Sequence, residues 1–344
     1  MRGGGRLVSV VKAIAYVVEG LEVPGPILET AFGEIMAGDG TPAQVAALLV
    51  GLRMKGETVD EIVAVAQALR RSAETVEAAD PRTVDTCGTG GTGLNTFSIS
   101  TTSAFVVAGA GIPVAKHGNR AATSRAGSFD TLEALGVGID LSVKRCGEIL
   151  QSIGIAPFFA RTAHPAFRHL APVRSEIGVR TLLNCLGPLL NPAGVRCQIV
   201  GVFSRSLVEP LASALGRLGC DRALVVHGSD GLDEITTTGP SHAAFAEAGR
   251  VEVLEIQPED LGLELARPED LTGGDAQQNA EILRGILAGE TGPRRDIVCL
   301  NAAGALWVGR AVSGLPEGIE RAQESIDSGA ASAKLEALVA ATRV

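Results

Sequence analysis

Thr83-Val84-Asp85-Thr86-Cys87, followed at once by Gly88-Thr89-Gly90-Gly91-Thr92 and then by Asn95-Thr96-Phe97-Ser98-Ile99-Ser100-Thr101, decides the fold. The short run rich in β-branched residues reads as a strand, the glycines as a tight turn, and the apolar residues beyond Thr101 as a helix. Strand, turn and helix in that order are the repeating unit of a parallel sheet. The same stretch has a chemistry. Glycines let backbone N–H groups close on an anion, and Ser100 and Thr101 stand at a helix N-terminus, where phosphate is favoured. A turn kept glycine-rich for backbone reasons alone would read the same way.

Working outward, Gln198–Phe203, Ala223–His227 and Val251–Ile256 repeat the texture of a short strand ending in a turn and followed by a helix. They predict a larger α/β domain with a mostly parallel central sheet flanked by helices. Upstream, from Ile27 to Ala79, apolar residues recur at three- and four-residue spacing: Ile35 and Met36, then Val45, Leu48, Leu49 and Leu52, then Ile62, Val63, Val65 and Leu69. That period predicts a small all-helical domain, with Thr41-Pro42 as the cap and first residue of one helix. Ala171–Leu190 reads as helical again, so the chain is expected to return to the small domain. The division is then 1–80 with 171–190 for the helical domain, and 81–170 with 191–344 for the α/β domain. A hinge and a cleft follow from the double crossing.

Bulk properties narrow the function. At 344 residues and 46% hydrophobic content the chain can bury a sizeable interior and is not a disordered protein. Lys and Arg number 30 against 39 Asp and Glu, a net charge of −9, which argues against a sequence-independent grip on nucleic acid. An anionic ligand must be met locally, by placed cations, helix N-termini or a divalent metal. The six cysteines form no C-x-x-C pair, so neither a zinc site nor a disulfide framework is expected. Lys12 and Glu19 break the early apolar run, and no such run reaches spanning length, so a soluble cytoplasmic protein without membrane partners is expected.

Three further constellations carry candidate chemistry. Lys116-His117-Gly118-Asn119-Arg120, continuing through Ser124 to Gly127-Ser128, crowds cations, an amide and hydroxyls before a helix from Phe129 to Leu135. That set suits phosphate oxygens and sugar hydroxyls, although a solvated charged loop would use the same residues. His227 to Glu234 follows the buried strand Ala223–Val226. Its adjacent Asp233 and Glu234 suit Mg²⁺, which takes few protein carboxylates and fills its octahedron with water and diphosphate oxygens; helix capping is the other reading. Arg174 and Arg180 lie six residues apart in the third stretch, too far to share a tight helical face. One could grip a carboxylate and the other be structural. His164-Pro165 reads as a turn or helix start.

In this order the residues resemble the anthranilate phosphoribosyltransferase family, within the nucleoside phosphorylase and phosphoribosyltransferase group. The likeness spans nearly the whole chain, including Gly51 to Glu57, the Gly273-Gly274-Asp275-Ala276 turn with Asn279, and Arg295-Asp296 with Asn301-Ala302-Ala303. The resemblance implies that Gly88, Gly91, Thr92, Thr96, Ser98, Ser100, Thr101, Lys116, Arg120, Ser124 and Ser128 belong to the site for phosphoribosyl pyrophosphate. Ser100, Asp233 and Glu234 would hold Mg²⁺, with Lys116, Asp233 and Glu234 as the catalytic groups. Asn119 and Arg174 would contact anthranilate, Gly88 would touch both ligands, and His117 and His164 would line the aromatic entry. It also implies a homodimer through the helical domain and a step of tryptophan biosynthesis.

Five positions depart from the family pattern: Thr92 where Asp is usual, Ser98 where Asn is usual, Phe129 for Ala, and Ala156-Pro157 for Gly-Phe. Two alternatives stay open on sequence alone. A nucleoside phosphorylase of the same fold would not need paired carboxylates. A catalytically reduced relative could take another aromatic amine or a nucleic acid, the latter requiring a basic groove.

Overall fold

The structure, a computed structural model, describes residues 8–121 and 125–343. By internal contacts the chain forms two compact units, Met1–Glu74 with His164–Leu190, and Thr75–Ala163 with Asn191–Val344.

The first unit is built from helices Val8–Val18, Gly25–Met36, Pro42–Lys55 and Val59–Arg71. Thr41 and Gln44 form a reciprocal capping box with Pro42 in the first turn, and Thr58 and Glu61 form another. The apolar spacing is used as expected: Phe32, Ile35, Leu48, Leu49, Leu52, Ile62 and Leu69 are all buried. Ala171–Leu190 is not one helix. Ala171–Ile177 stops at Gly178, and a short Leu183–Leu186 helix and a 3-10 turn, Gly187–Leu190, follow. Arg174 therefore lies on a helix and Arg180 beyond its end.

Glu61 organises this unit from inside. It is fully buried, and its carboxylate accepts from Val23 N–H at 2.9 Å, from Thr58 N–H at 3.0 Å and from Lys55 Nζ at 2.8 Å. One side chain thus ties the approach to the second helix, the end of the third and the start of the fourth.

The second unit holds a seven-stranded sheet: β1 Val84–Gly88, β2 Val114–Gly118, β3 Ile155–Phe159, β4 Cys197–Gly201, β5 Arg222–Gly228, β6 Ser241–Glu247 and β7 Arg250–Ile256. The order across it is β3-β2-β1-β4-β5-β6-β7. The first five strands are parallel, and β6 and β7 are antiparallel. The strand-helix alternation therefore ends at β5. β6 and β7 are a hairpin whose two turn residues, Ala248 and Gly249, both have positive φ (50° and 76°), the backbone a two-residue hairpin requires. Val251–Ile256 is accordingly an exposed edge strand and does not lead into a covering helix of a parallel unit.

From β1 the chain winds outward to β2 and β3, then resumes on the other side at β4. Strand order reverses between β1 and β4, and in such sheets the crevice beyond the C-terminal strand ends at this point is where ligands bind. Gly88 and Gly201 end the two strands in register, side by side at its floor. Buried helices Ile99–Gly109 and Pro293–Val308 pack against each other and against β1.

Glu61→Ala is expected to lower the stability of the helical unit by about 3 kcal/mol, because it strands buried Lys55 and two backbone donors. Urea unfolding followed by far-UV circular dichroism measures this, and a loss below about 1 kcal/mol would contradict the role given to Glu61.

Candidate active site

Two glycines let the acidic pair reach the crevice floor. A Cβ on Gly201 would overlap the Asp233 carbonyl, and one on Gly88 would collide with the Asp233 carboxylate. Any other residue at either strand end would push the Asp233-Glu234 segment away. Asp233 Oδ2 accepts from Gly90 N–H at 2.7 Å, which ties it to the glycine turn. Glu234 Oε1 accepts from Ser100 N–H at 3.2 Å, one of the donors that a helix's first turn leaves unsatisfied.

Lys116, at 3% exposure, brings a cation to the same place from β2. Its ammonium donates to the Thr86 carbonyl and reaches Ser100 Oγ at 3.5 Å. Beneath it, buried Asp85 accepts from His117 N–H at 3.2 Å and from Asn191 Nδ2 at 2.8 Å, and Asn191 also donates to the Ala115 carbonyl at 2.8 Å. Burial pushes the Asp85 carboxyl up from its ordinary range, while the charge of Lys116 and the Asn191 bond hold it down.

Asp233 and Glu234 are half-buried. Burial raises both carboxyls. Glu234 is pushed up to about 8, by burial first and then by the neighbouring Asp233 charge, with Lys116 opposing. Asp233 is raised by burial, against its bond from Gly90. No Lys or Arg among the described residues forms an ion pair with either carboxylate, so the pair lacks a contacting countercharge. A divalent cation fits that deficit. Among the described residues there is no group of three or more His, Cys, Asp or Glu that could hold a metal ion.

The remaining expected residues divide by place. Gly91 is exposed on the turn, and Thr92 Oγ1 accepts from Leu94 N–H at 3.2 Å. Thr96 bridges to Thr272, with Asn95 Nδ2 donating to the Gly273 carbonyl at 2.9 Å. Ser98 Oγ pairs with Thr131 Oγ1 at 2.8 Å. Thr101 is buried at 1% exposure in the first turn of Ile99–Gly109, and its hydroxyl has no hydrogen-bond partner among the described residues. Ser128 Oγ donates to the Asn119 carbonyl at 3.4 Å, and Asn119 itself is exposed. Arg120 turns to Glu133 at 2.8 Å and lies over the Phe159 ring. Ser124 lies outside the described residues. His117 is buried at the end of β2.

Within the helical unit, Arg174 is exposed on Ala171–Ile177. His164 is buried edge-on to Phe167, and burial lowers it to about 4, so its imidazole is neutral at pH 7. Sequence reasoning does not single out Asp85, Asn191 or Asp230. Asp230 spends both oxygens on its own loop, accepting from Thr236 Oγ1 and Thr238 Oγ1, each at 2.6 Å, and from Leu232 N–H at 3.0 Å. Of the three carboxylates in that loop, only Asp233 and Glu234 face the floor glycines and the turn.

Comparison with known proteins shows what the chain as a whole is similar to. The family model of the glycosyl transferase family a/b domain matches residues 80–332, and that of the glycosyl transferase family helical bundle domain matches residues 12–73. The chain is 52% identical to the anthranilate phosphoribosyltransferase of Moorella thermoacetica over 327 residues, covering 95% of this chain and 96% of that one. The crystal structure of anthranilate phosphoribosyltransferase from Thermus thermophilus is similar with a TM-score of 0.92 and 42% identity, over 96% of this chain and 99% of that chain. The Saccharomyces cerevisiae enzyme, solved in complex with phosphoribosyl pyrophosphate and Mg, gives a TM-score of 0.88 at 26% identity, covering 97% and 98%. It has also been solved in complex with 4-fluoroanthranilate.

The raised Glu234 carboxyl has a sign that can be checked. Below its ordinary value of 4.5 the group is protonated folded or unfolded. As pH rises toward about 8 the unfolded chain ionises first, the folded form holds the extra proton, and stability falls. In chelator, Glu234→Gln should therefore gain melting temperature over the wild type progressively from pH 5 to 8, reaching roughly 2–5 °C. A pH-independent difference in differential scanning fluorimetry would refute the assignment.

Proposed function

This chain belongs to the anthranilate phosphoribosyltransferase family, and from that premise we propose how its own residues divide the work. The enzyme transfers the phosphoribosyl group of phosphoribosyl pyrophosphate to the amine of anthranilate, giving N-(5-phosphoribosyl)anthranilate and pyrophosphate, in tryptophan biosynthesis. The observation that carries the reading is the Asp233-Glu234 pair, seated by Gly88 and Gly201 and short of a countercharge.

Substitution at the anomeric carbon breaks the bond to pyrophosphate, so charge gathering on the leaving group is the main obstacle. Lys116 would meet that charge from a buried, fixed position, and the N–H groups of the glycine turn and the first turn of Ile99–Gly109 would add to it. Asp233 and Glu234, with Ser100, would hold Mg²⁺, which when bound supplies further charge neutralisation to the diphosphate. The Mg-bound yeast structure supports this cofactor. Gly88, Gly91, Thr92, Thr96, Ser98, Thr101 and Ser128 are proposed for the phosphoribosyl donor. Ser98 and Arg120 would act through what they hold, since both side chains are already engaged.

The acceptor is an aromatic amine, neutral at pH 7, and needs no strong protein base. Asn119 and Arg174 are proposed to orient it, Arg174 through the carboxylate, with His117 and His164 beside the ring. The neutral His164 imidazole suits an aromatic neighbour. Orientation then supplies a large part of the acceleration. We also read the helical unit as the dimer surface, because Val18 and Met54 stand 74% and 83% exposed on it. A cytoplasmic location follows from the donor, a polyanion that does not cross membranes unaided. Among the described residues no helix is long and apolar enough to span one.

With purified protein, phosphoribosyl pyrophosphate and Mg²⁺, anthranilate fluorescence should decay, and Asp233→Ala/Glu234→Ala should slow the decay at least about 100-fold. Equal rates in both would remove the pair from the reaction. Arg174→Ala should raise the KM for anthranilate about 10- to 100-fold while the donor KM moves little, the loss expected for a charge-assisted bond. An unchanged anthranilate KM would take Arg174 out of the acceptor site.

A further inference from the structure

We propose that Asn301 is a positioning residue for the Asp233-Glu234 pair, fixing the peptide that follows Glu234 so that its carboxylate is presented to the metal in one geometry. The inference rests on reading that pair as the metal-holding one.

Asn301 comes from helix Pro293–Val308, far away in sequence, and is 2% exposed. Its amide takes both backbone groups of Ile235, the residue next to Glu234. Oδ1 accepts from Ile235 N–H at 2.9 Å, and Nδ2 donates to the Ile235 carbonyl at 2.8 Å. The second Nδ2 proton goes to the Ile297 carbonyl at 2.9 Å, within its own helix. Asn301 therefore acts toward Ile235 as a neighbouring strand would, pinning a peptide that has no sheet partner. Its side chain also lines the small cavity beneath the crevice, with Glu234, Ser100 and Thr86.

The need for such a clamp follows from the charges. Two carboxylates on successive residues repel each other, and what holds them is backbone N–H donors, Gly90 for Asp233 and Ser100 for Glu234. Asp230 closes the loop around them, through Leu232 ahead of the pair and Thr236 and Thr238 beyond it. Asn301 holds the residue directly adjoining Glu234. Mg²⁺ demands a near-ideal octahedron at short distances, so freedom at Ile235 would be felt as lost affinity at the metal. Groups that orient ligands in this way contribute about 10- to 100-fold in metal affinity.

A merely structural asparagine would lower stability and nothing else. Ser325 is the control: it is also buried and donates to the Val106 carbonyl at 2.7 Å, away from the pair. Mn²⁺ binding to the intact protein with inorganic pyrophosphate, read from the free-ion electron paramagnetic resonance signal, should weaken about 10-fold in Asn301→Ala. Ser325→Ala should lose melting temperature but bind Mn²⁺ as the wild type does. If Asn301→Ala does not fold, the smaller loss in Asn301→Ser, which keeps a hydroxyl, is read the same way. Glu234→Gln in the same titration separates the two ideas. If it too binds Mn²⁺ normally, the metal reading falls and this inference with it. If Glu234→Gln weakens binding while the Asn301 variant only loses stability, Asn301 is structural and the inference alone is overturned.

Discussion

The structure of the α/β unit depends on one steric constraint: an acidic dipeptide must lie directly against the ends of two adjacent parallel strands. Gly88 and Gly201 are the register partners that make room for it. Because they share a level in the sheet, the Asp233 carbonyl and carboxylate can both approach, and Glu234 is delivered to the first turn of Ile99–Gly109. The crevice at the strand-order reversal is common to many α/β proteins. What makes this one suited to a diphosphate is that its floor carries acid from one side and Lys116 from the other.

That arrangement also answers how a chain of net charge −9 can bind a polyanion. The attraction is short-range and built from groups with fixed direction. Lys116 is held by the Thr86 carbonyl with buried Asp85 below it, and the helix N-terminus contributes donors without any net charge. Bare, the acidic pair is repulsive toward phosphate; on the proposed reading a divalent cation held there would reverse that sign. On that reading donor and metal would be coupled by the site's own electrostatics, since each is weakly served without the other.

How much of this was legible in the sequence depends on whether a local signal existed. The capping box at Thr41, the helical spacing from Ile35 to Leu69 and the strand before the glycine turn are all local, and all appear in the structure. β6 was hidden because His242-Ala243-Ala244-Phe245-Ala246 has the composition of a helix; only its place between β5 and β7 makes it extended. β3 contains Pro157, which disfavours a strand unless that strand lies at a sheet edge, where β3 is found. Asp233 and Glu234 stood out by adjacency, but nothing in the sequence separates Asp230, consumed by its own loop, from a ligand. Asp85 and Asn191 meet across 106 residues and left no periodic trace.

The positions that depart from the family pattern show how a site keeps its shape while its side chains change. Ser98 is too short to project far, and its hydroxyl closes on Thr131 of the next helix, so it links the helix carrying Ser100 to the one beginning at Ser128. Thr92 uses its hydroxyl on Leu94 N–H and shapes the turn without adding a charge. Phe129 stacks on Phe159 at 5.1 Å, and a Cβ on Gly118 would press against its ring. Phe159 in turn carries Arg120 on its face, so the bulk at residue 129 braces the end of β2, the strand that bears Lys116. The charge at the crevice floor stays with Lys116, Asp233 and Glu234, the groups proposed to govern the reaction.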